Sequence, residues 1–522
     1  MSPRRRSLAA VLAAVVLAGL LPATASAAAS SVPFSAVVPA PAAASQSKSV
    51  KYTLRANAAI ATDSQAVGDY LATILRRSTG YRVPVHTPSW HREPISLLLS
   101  GAPSSVGDEG YQLDISASGV TVRARKPAGL FAGVQTILQL LPPAAQGATV
   151  AAGPWTLSGG RIVDSPRFPY RGAMLDVARR FFTVEQVKRY IDQVARYKLN
   201  TVHLHLTDDQ GWRLMINGWE RLATYGGSTS VGGGPGGYYT QADYADIVAY
   251  AQSRFITVVP EVDMPGHTNA ALASYAELNC DGKAPPLYTG VEVGFSSLCT
   301  GKEITYQFLD AVIGQLAALT PGQYLHIGGD ETMATKPADY NAFIGRVQQI
   351  AAAHGKSVIG WHEVAKATLA PATIAQFWFT TTSDSDVAAA VKNGTTVVMS
   401  PAPHTYLNMK YDKDTVLGQD WAGYTEVKKS YDWNPGAYLT GVGESAVLGV
   451  EAPLWTSTIK TSADIEYMIF PRLVSIAEIG WSPQRTHDWT AFAERLGKQG
   501  PLWKLLGIDY HKSPQIPWAA GS

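Results

Sequence analysis

The sequence predicts an α/β protein: a (β/α)8 barrel over residues 166–522, preceded by a smaller α/β domain over residues 51–165. Eight short β-rich runs recur after Pro166, each followed by a stretch of helical spacing, the pattern of parallel strands closed into a barrel. Acids and tryptophans gather at the ends of those runs, on the rim where such barrels build their sites. The chain is 522 residues long, 46% hydrophobic and 16% charged, which supports two large cores and excludes a disordered polymer.

From the N-terminus, Arg4, Arg5 and Arg6 precede an apolar run over 8–21, and Ala25-Ser26-Ala27 offers a small-residue cleavage site. That run is shorter than the roughly 20 residues a spanning helix needs. Residues 1–27 are therefore expected to be a signal peptide cleaved near Ala27, making the protein secreted, with no membrane attachment afterwards. Losing three arginines and no acid moves the net charge from +2 to about −1. That balance disfavours nucleic acid as a partner and suits a neutral polymer such as a glycan. Residues 28–50, rich in Ala, Ser, Pro and Val, read as a flexible lead-in.

Within 51–165 the pattern predicts a helix over 66–77, a strand over 95–99, a hairpin of 111–115 with 120–124, and a helix over 129–141. This domain holds no catalytic cluster. The barrel strands are expected at 170–175, 201–206, 256–259, 324–327, 357–359, 374–378, 395–399 and 448–450. Cys280 and Cys299 are the only cysteines. In an exported protein they pair, two separate buried thiols being the alternative; closing a loop of about 20 residues contributes ~3 kcal/mol.

Four motifs carry chemistry. In His326-Ile327-Gly328-Gly329-Asp330-Glu331 the glycines free the backbone, so that neighbouring carboxylates can reach one pocket. Mutual repulsion then favours one protonated and one ionised acid. Taken alone, the string is equally a solvated turn. In His203-Leu204-His205-Leu206-Thr207-Asp208 the two histidines share a strand face. They could ligate a metal, but no third ligand follows by spacing, and interior histidines with satisfied hydrogen bonds are the favoured reading. Neither metal nor cofactor is expected. In Glu261-Val262-Asp263-Met264-Pro265-Gly266-His267 a histidine beside acids can hold a carboxylic acid in place. Finally, the chain has 13 tryptophans, and Trp361, Trp378, Trp421 and Trp455 fall near the rim, where aromatic faces can stack on sugar rings. Any one of them alone would read as core.

In this order and spacing the motifs resemble family 20 glycoside hydrolases, above all secreted streptomycete β-N-acetylhexosaminidases. The resemblance runs from about residue 50 to the C-terminus, and includes Tyr-Gly-Gly-Ser-Thr at 225–229 and Gly-Gly-Gly-Pro-Gly-Gly at 232–237. It implies an exo-acting retaining enzyme that releases terminal GlcNAc or GalNAc from oligosaccharides or glycoconjugates, and it implies that Glu331 is the general acid/base. The substrate's own 2-acetamido carbonyl would attack C1, a known exception to two-carboxylate catalysis. Asp330 would orient the acetamido N–H and Tyr406 hold its oxygen. Trp361, Trp378 and Trp455 would wall the methyl, Trp421 would face the leaving sugar, and Arg179 would grip the C3 and C4 hydroxyls. Asp208, His267 and Asp263 would support the acid pair. The protein is expected to work as a monomer.

Three positions depart from the family pattern. Ser457 stands where a glutamate usually binds the C4 and C6 hydroxyls, Arg180 where a histidine is common, and Asn408 where close relatives carry aspartate. A hydrogen bond to a charged group contributes roughly 1.5–3 kcal/mol, so recognition of that sugar edge should be altered. A lacto-N-biosidase releasing a Gal-GlcNAc disaccharide is the alternative within the family. A catalytically silent carbohydrate-binding protein is the alternative outside it.

Overall fold

The computed structural model describes residues 31–89 and 94–522, so the expected signal peptide over 1–27 lies outside the described residues. The N-terminal domain is a seven-stranded mixed sheet. Its strands run in the order Ala43–Leu54, Trp155–Asp164, Tyr111–Ser116, Gly119–Ala124, Ile95–Leu98, Ile60–Thr62 and Val85–His86. Helices Gln65–Thr79 and Pro127–Leu140 pack on it and on each other, and the expected hairpin forms in register, Ile115 opposite Val120. The first helix stops where Gly80 turns left-handed at φ 72°, a conformation glycine adopts without steric cost.

The described part of 28–50 is ordered, contrary to the expected flexible lead-in. Phe34–Ala36 makes a helical turn, Val37 and Val38 are fully buried, and Ala43 opens a twelve-residue strand. Mostly exposed polar side chains disguise this strand, whose backbone pairs with Trp155–Asp164. The segment also ties the two domains together: Ala40 N donates to Glu478 Oε2 at 3.2 Å, and Ser482 Oγ donates to Ala40 O at 2.7 Å.

Eight parallel strands close the barrel: Tyr170–Asp176, Thr201–His205, Thr257–Glu261, Tyr324–His326, Ser357–Trp361, Ile374–Phe377, Thr396–Met399 and Val447–Leu454. All eight lie where periodicity placed them, with ends shifted by a few residues. Side chains two apart share a face, so the interior is layered. Tyr170, Val259, Ile359, Ile374 and Val398 form an apolar floor. Above it, the strands bring His203, Glu261, His326, Trp361, Gln376 and Glu451 into a polar layer, all essentially inaccessible to water. Gly172 makes room for that layer, because a Cβ there would lie 2.6 Å from Glu451 Oε2.

A buried ion pair locks the sheet onto the barrel. Lys198 Nζ meets Asp164 Oδ2 at 3.1 Å and Tyr111 OH at 3.0 Å, and Trp481 Nε1 donates to the same carboxylate at 2.9 Å. Removing either ion would strand its partner in a dry interface.

Candidate active site

The fourth strand ends at His326, and the next five residues build the catalytic turn. Gly328 and Gly329 have φ of 64° and 98°. A Cβ on Gly328 would come within 1.8 Å of Asp263 Oδ1, the oxygen that accepts Gly329 N–H at 3.0 Å. Tyr340 OH closes the other side, donating to Gly329 O at 2.7 Å. Glu331 itself sits at φ 47° and His267 at φ 55°. A non-glycine residue in that region is strained, and such strain persists where surroundings hold the side chain in a set place.

His267 stands behind both acids. Its Nδ1 lies 3.3 Å from Asp208 Oδ1, and its Nε2 lies 3.3 Å from Glu331 Oε2 and 3.8 Å from Asp330 Oδ2, without an aligned hydrogen bond. Burial would discharge this imidazole, but Asp208, Asp330 and Asp263 raise its pKa well above the usual value. Asp208 behaves oppositely: despite burial, Arg179 and His267 hold it well below the usual carboxylate range. Burial lifts Asp330 well above that range, with Asp263, Glu331 and Glu363 adding repulsion. Asp263 is raised in the same way, by burial and then by Glu261 and Asp208. Beneath the rim, therefore, lies a fixed cation flanked by one firmly ionised acid and two acids reluctant to ionise.

Arg179 extends this network across the rim. Its Nη1 contacts Asp208 Oδ2 at 2.7 Å and Asp176 Oδ2 at 3.5 Å, and its guanidinium lies over Trp455 at 4.7 Å. Asp176 Oδ1 accepts the backbone N–H groups of Ala178 and Arg179, turning the chain at the end of the first strand.

A pocket of ≈ 320 Å³ opens over the acid pair. Its wall contains Asp330, Glu331, Tyr406, Arg179, Trp378, Trp421, Trp455 and Ser457, residues drawn from six separate stretches of chain. Tyr406 lies between aromatic neighbours, 6.4 Å from Trp378, 5.8 Å from Trp421 and 6.3 Å from Trp455. Burial, then Asp330, raises its phenol well above the usual value, so it remains a hydrogen-bond donor. Trp378 is steered by Glu363, whose Oε2 accepts its indole N–H at 3.1 Å.

Two expected wall residues sit behind the wall instead. Trp361 is the last residue of the fifth strand and fully buried; its indole donates to Glu261 Oε1 at 2.9 Å and packs 5.7 Å from Trp455. Asn408 is buried beneath the pocket, its amide donating at 3.0 Å to Gln419, which takes the wall position. Sequence reasoning missed Gln419, Gln210, Phe379, Val291 and Val293. Gln210 and Phe379 adjoin recognised motifs, but the two valines lie in an aperiodic loop. The Cys280–Cys299 disulfide, present with an S–S distance of 2.02 Å, brackets that loop.

Four buried clusters bring three His, Asp or Glu groups within 4.8 Å of one another. Those centred on Glu261 are bridged by protons: His203 Nε2 lies 3.0 Å and His205 Nδ1 2.5 Å from Glu261 Oε2. The other two converge on His267, whose positive charge a metal ion would have to displace.

The catalytic-domain profile of glycosyl hydrolase family 20 matches residues 168–342 and 335–484, and the profile of that family's domain 2 matches 35–165. The chain belongs to glycosyl hydrolase family 20. Among family 20 relatives, the β-N-acetylhexosaminidase of Cellulomonas fimi is 39% identical over 487 residues, covering 92% of this chain and 97% of that one. The Streptomyces plicatus N-acetyl-β-hexosaminidase, solved in complex with Thio-NAglucal, has a TM-score of 0.91 and 56% identity, covering 94% of this chain and 99% of that one. The family 20 β-N-acetylhexosaminidase of Streptomyces coelicolor A3(2) scores 0.91 at 56% identity, covering 94% and 100%. Family 20 membership makes the chain a glycoside hydrolase and explains why its acids cluster on one barrel rim.

Proposed function

We propose that this family 20 enzyme is an exo-acting, retaining β-N-acetylhexosaminidase that cleaves terminal GlcNAc or GalNAc with the help of the substrate's own acetamido group. The observation that carries this reading is the meeting of Asp330, Glu331 and Tyr406 in one aromatic-walled pocket of ≈ 320 Å³. That volume lies at the small end of ligand sites and suits one sugar ring.

Glu331, with about a third of its side chain exposed, donates its proton to the glycosidic oxygen while the acetamido carbonyl oxygen attacks C1. The C1–O bond to the leaving sugar breaks and a cyclic oxazolinium forms. Asp330 Oδ1, buried and without a hydrogen-bond partner among the described residues, accepts the acetamido N–H. The positive charge growing there draws Asp330 back to its ionised form. Tyr406 OH donates to the acetamido oxygen and aligns it. Glu331 then takes a proton from water, which opens the oxazolinium on the face the leaving sugar occupied. Configuration is retained without an ester to the protein.

Arg179 and Trp455 grip the ring, and Trp421 and Phe379 face the leaving group. The domain over 51–165 serves as an accessory to the barrel, and Trp361 and Asn408 brace the wall from behind. We read the enzyme as a secreted monomer, cleaved near Ala27, that acts on chitin-derived oligosaccharides or glycoconjugates. A product profile over chitobiose, an aryl GalNAc glycoside and lacto-N-tetraose tests this. Release of single N-acetylhexosamines is expected; release of a Gal-GlcNAc disaccharide would replace the reading with a lacto-N-biosidase.

A further inference from the structure

The rim beside the eighth strand holds a cation that no carboxylate answers. Arg180 follows Arg179 but enters none of the ion pairs among the described residues. Its Nη2 donates to Ser457 O at 3.3 Å, while its Nε is buried without a partner. Burial lowers its pKa from the usual arginine value. Beside it, Ser230 Oγ is likewise buried and unpartnered. Gly234 leaves the space between them open, since a Cβ there would lie 2.7 Å from Ser230 Oγ and 3.1 Å from Arg180 Nη1. Val231 N, donating to Arg179 O at 3.1 Å, fastens the loop that carries Ser230 over this corner.

Barrel closure orients the corner relative to the chemistry. In the strand order the fourth and eighth strands are four places apart, on opposite sides of the barrel. Asp330 and Glu331 follow the fourth strand, Ser457 follows the eighth, and Arg180 follows the neighbouring first. A sugar whose C1 and C2 substituents engage Glu331 and Asp330 therefore points C4 and the exocyclic C6 toward Ser457 and Arg180. This orientation rests on the hexosaminidase reading above.

We propose that this corner is an anion subsite, in which Arg180, with the hydroxyls of Ser230 and Ser457, takes a sulfate or phosphate ester on O6 of the terminal N-acetylhexosamine. A guanidinium presents two parallel N–H donors matched to a tetrahedral oxyanion. A half-buried cation lacking a counter-charge is costly in the empty protein, and an anionic substrate removes that cost. The competing role, Arg180 merely fastening the Ser457 carbonyl, leaves Ser230 Oγ and Arg180 Nε without a function.

The test compares 4-nitrophenyl β-N-acetylglucosaminide with its 6-O-sulfate and its 6-O-phosphate on the full-length mature enzyme. The wild type is expected to hydrolyse at least one ester with kcat/KM equal to or above that of the parent, and the favoured arm identifies the anion. Arg180→Ala should lower the ester-to-parent ratio of kcat/KM by about 10- to 100-fold, chiefly through KM, the size of a charged hydrogen bond. Arg180→Lys should restore part of it. Raising NaCl to about 0.5 M should raise KM for the ester more than for the parent. A wild type that hydrolyses the parent but rejects both esters overturns the subsite and leaves the hexosaminidase reading standing. Equal losses on parent and ester in Arg180→Ala, or in Arg180→Lys should the alanine variant fail to fold, assign a structural role and also overturn it. Failure on all three substrates removes the underlying reading.

Discussion

The barrel contains two buried acid–histidine clusters one layer apart, and they do different work. In the lower one the carboxylates are saturated. Glu261 receives His203, His205, His326 and the Trp361 indole. Glu451 receives His203 at 2.9 Å, Gln376 at 2.7 Å and Tyr170 at 2.5 Å. In the upper one, Asp330 Oδ1, Asp263 Oδ2 and His267 Nε2 are buried and lack hydrogen-bond partners. Electrostatics follow the same division. Against burial, the histidines pull Glu261 well below the usual carboxylate range, whereas burial and acid neighbours push Asp330 well above it. A saturated network stiffens a fold, while an unsatisfied one facing a pocket waits for substrate. Even the lower layer is incomplete, because His326 Nε2 and Gln376 Oε1 have no partner.

Cross-comparison of variants would break this division most directly. Glu331→Gln should lower kcat on an aryl β-N-acetylglucosaminide by about 10²–10⁴-fold, the range for a general acid, while leaving the melting temperature near that of the wild type. A large drop in melting temperature would place Glu331 with the structural layer. Glu261→Gln should show the reverse emphasis. Removing the negative charge among three histidines is expected to destabilise by ~3–5 kcal/mol, read by denaturant unfolding. An unfolding midpoint like that of the wild type would show that the lower network adds nothing to stability. Tyr406→Phe should cost about 10- to 100-fold in kcat/KM for acetamido substrates, through lost orientation, with little change in stability.

The smallest effect concerns pH. Against burial, Glu451 and Glu261 raise the pKa of His203 to about 9, and Glu261, Asp208 and Asp176 raise that of His205 to about 10, both from a usual value of 6.5. A group raised on folding contributes stability in full below its unfolded pKa and loses it as pH climbs through the folded value. The melting temperature of the wild type should therefore fall progressively as pH rises from about 6.5 toward 10. Glu261→Gln should flatten that slope; an equal slope in both proteins would remove these histidines as its source.

Much of this was legible before folding. The catalytic turn was visible because Gly-Gly before two acids is a local signal, and Gly328 proves necessary, since Asp263 occupies the space its Cβ would take. The strand Ala43–Leu54 was not visible, because an edge strand with its side chains in solvent carries no hydrophobic alternation. Trp361 was expected in the pocket wall, for a position just past a predicted strand reads as rim; the fifth strand extends to include it, and its side chain turns inward to Glu261.

By itself the sequence determined the eight-strand period, the two-domain division and the identity of the acids, because these depend on local pattern and residue chemistry. The tertiary structure decided which acids are starved of partners and which are saturated. It also decided that Gln419 stands in the wall before Asn408, and that Arg180 reaches the rim with no counter-charge. Those outcomes depend on groups far apart in the chain meeting out of water, where one missing partner sets the charge of its neighbour.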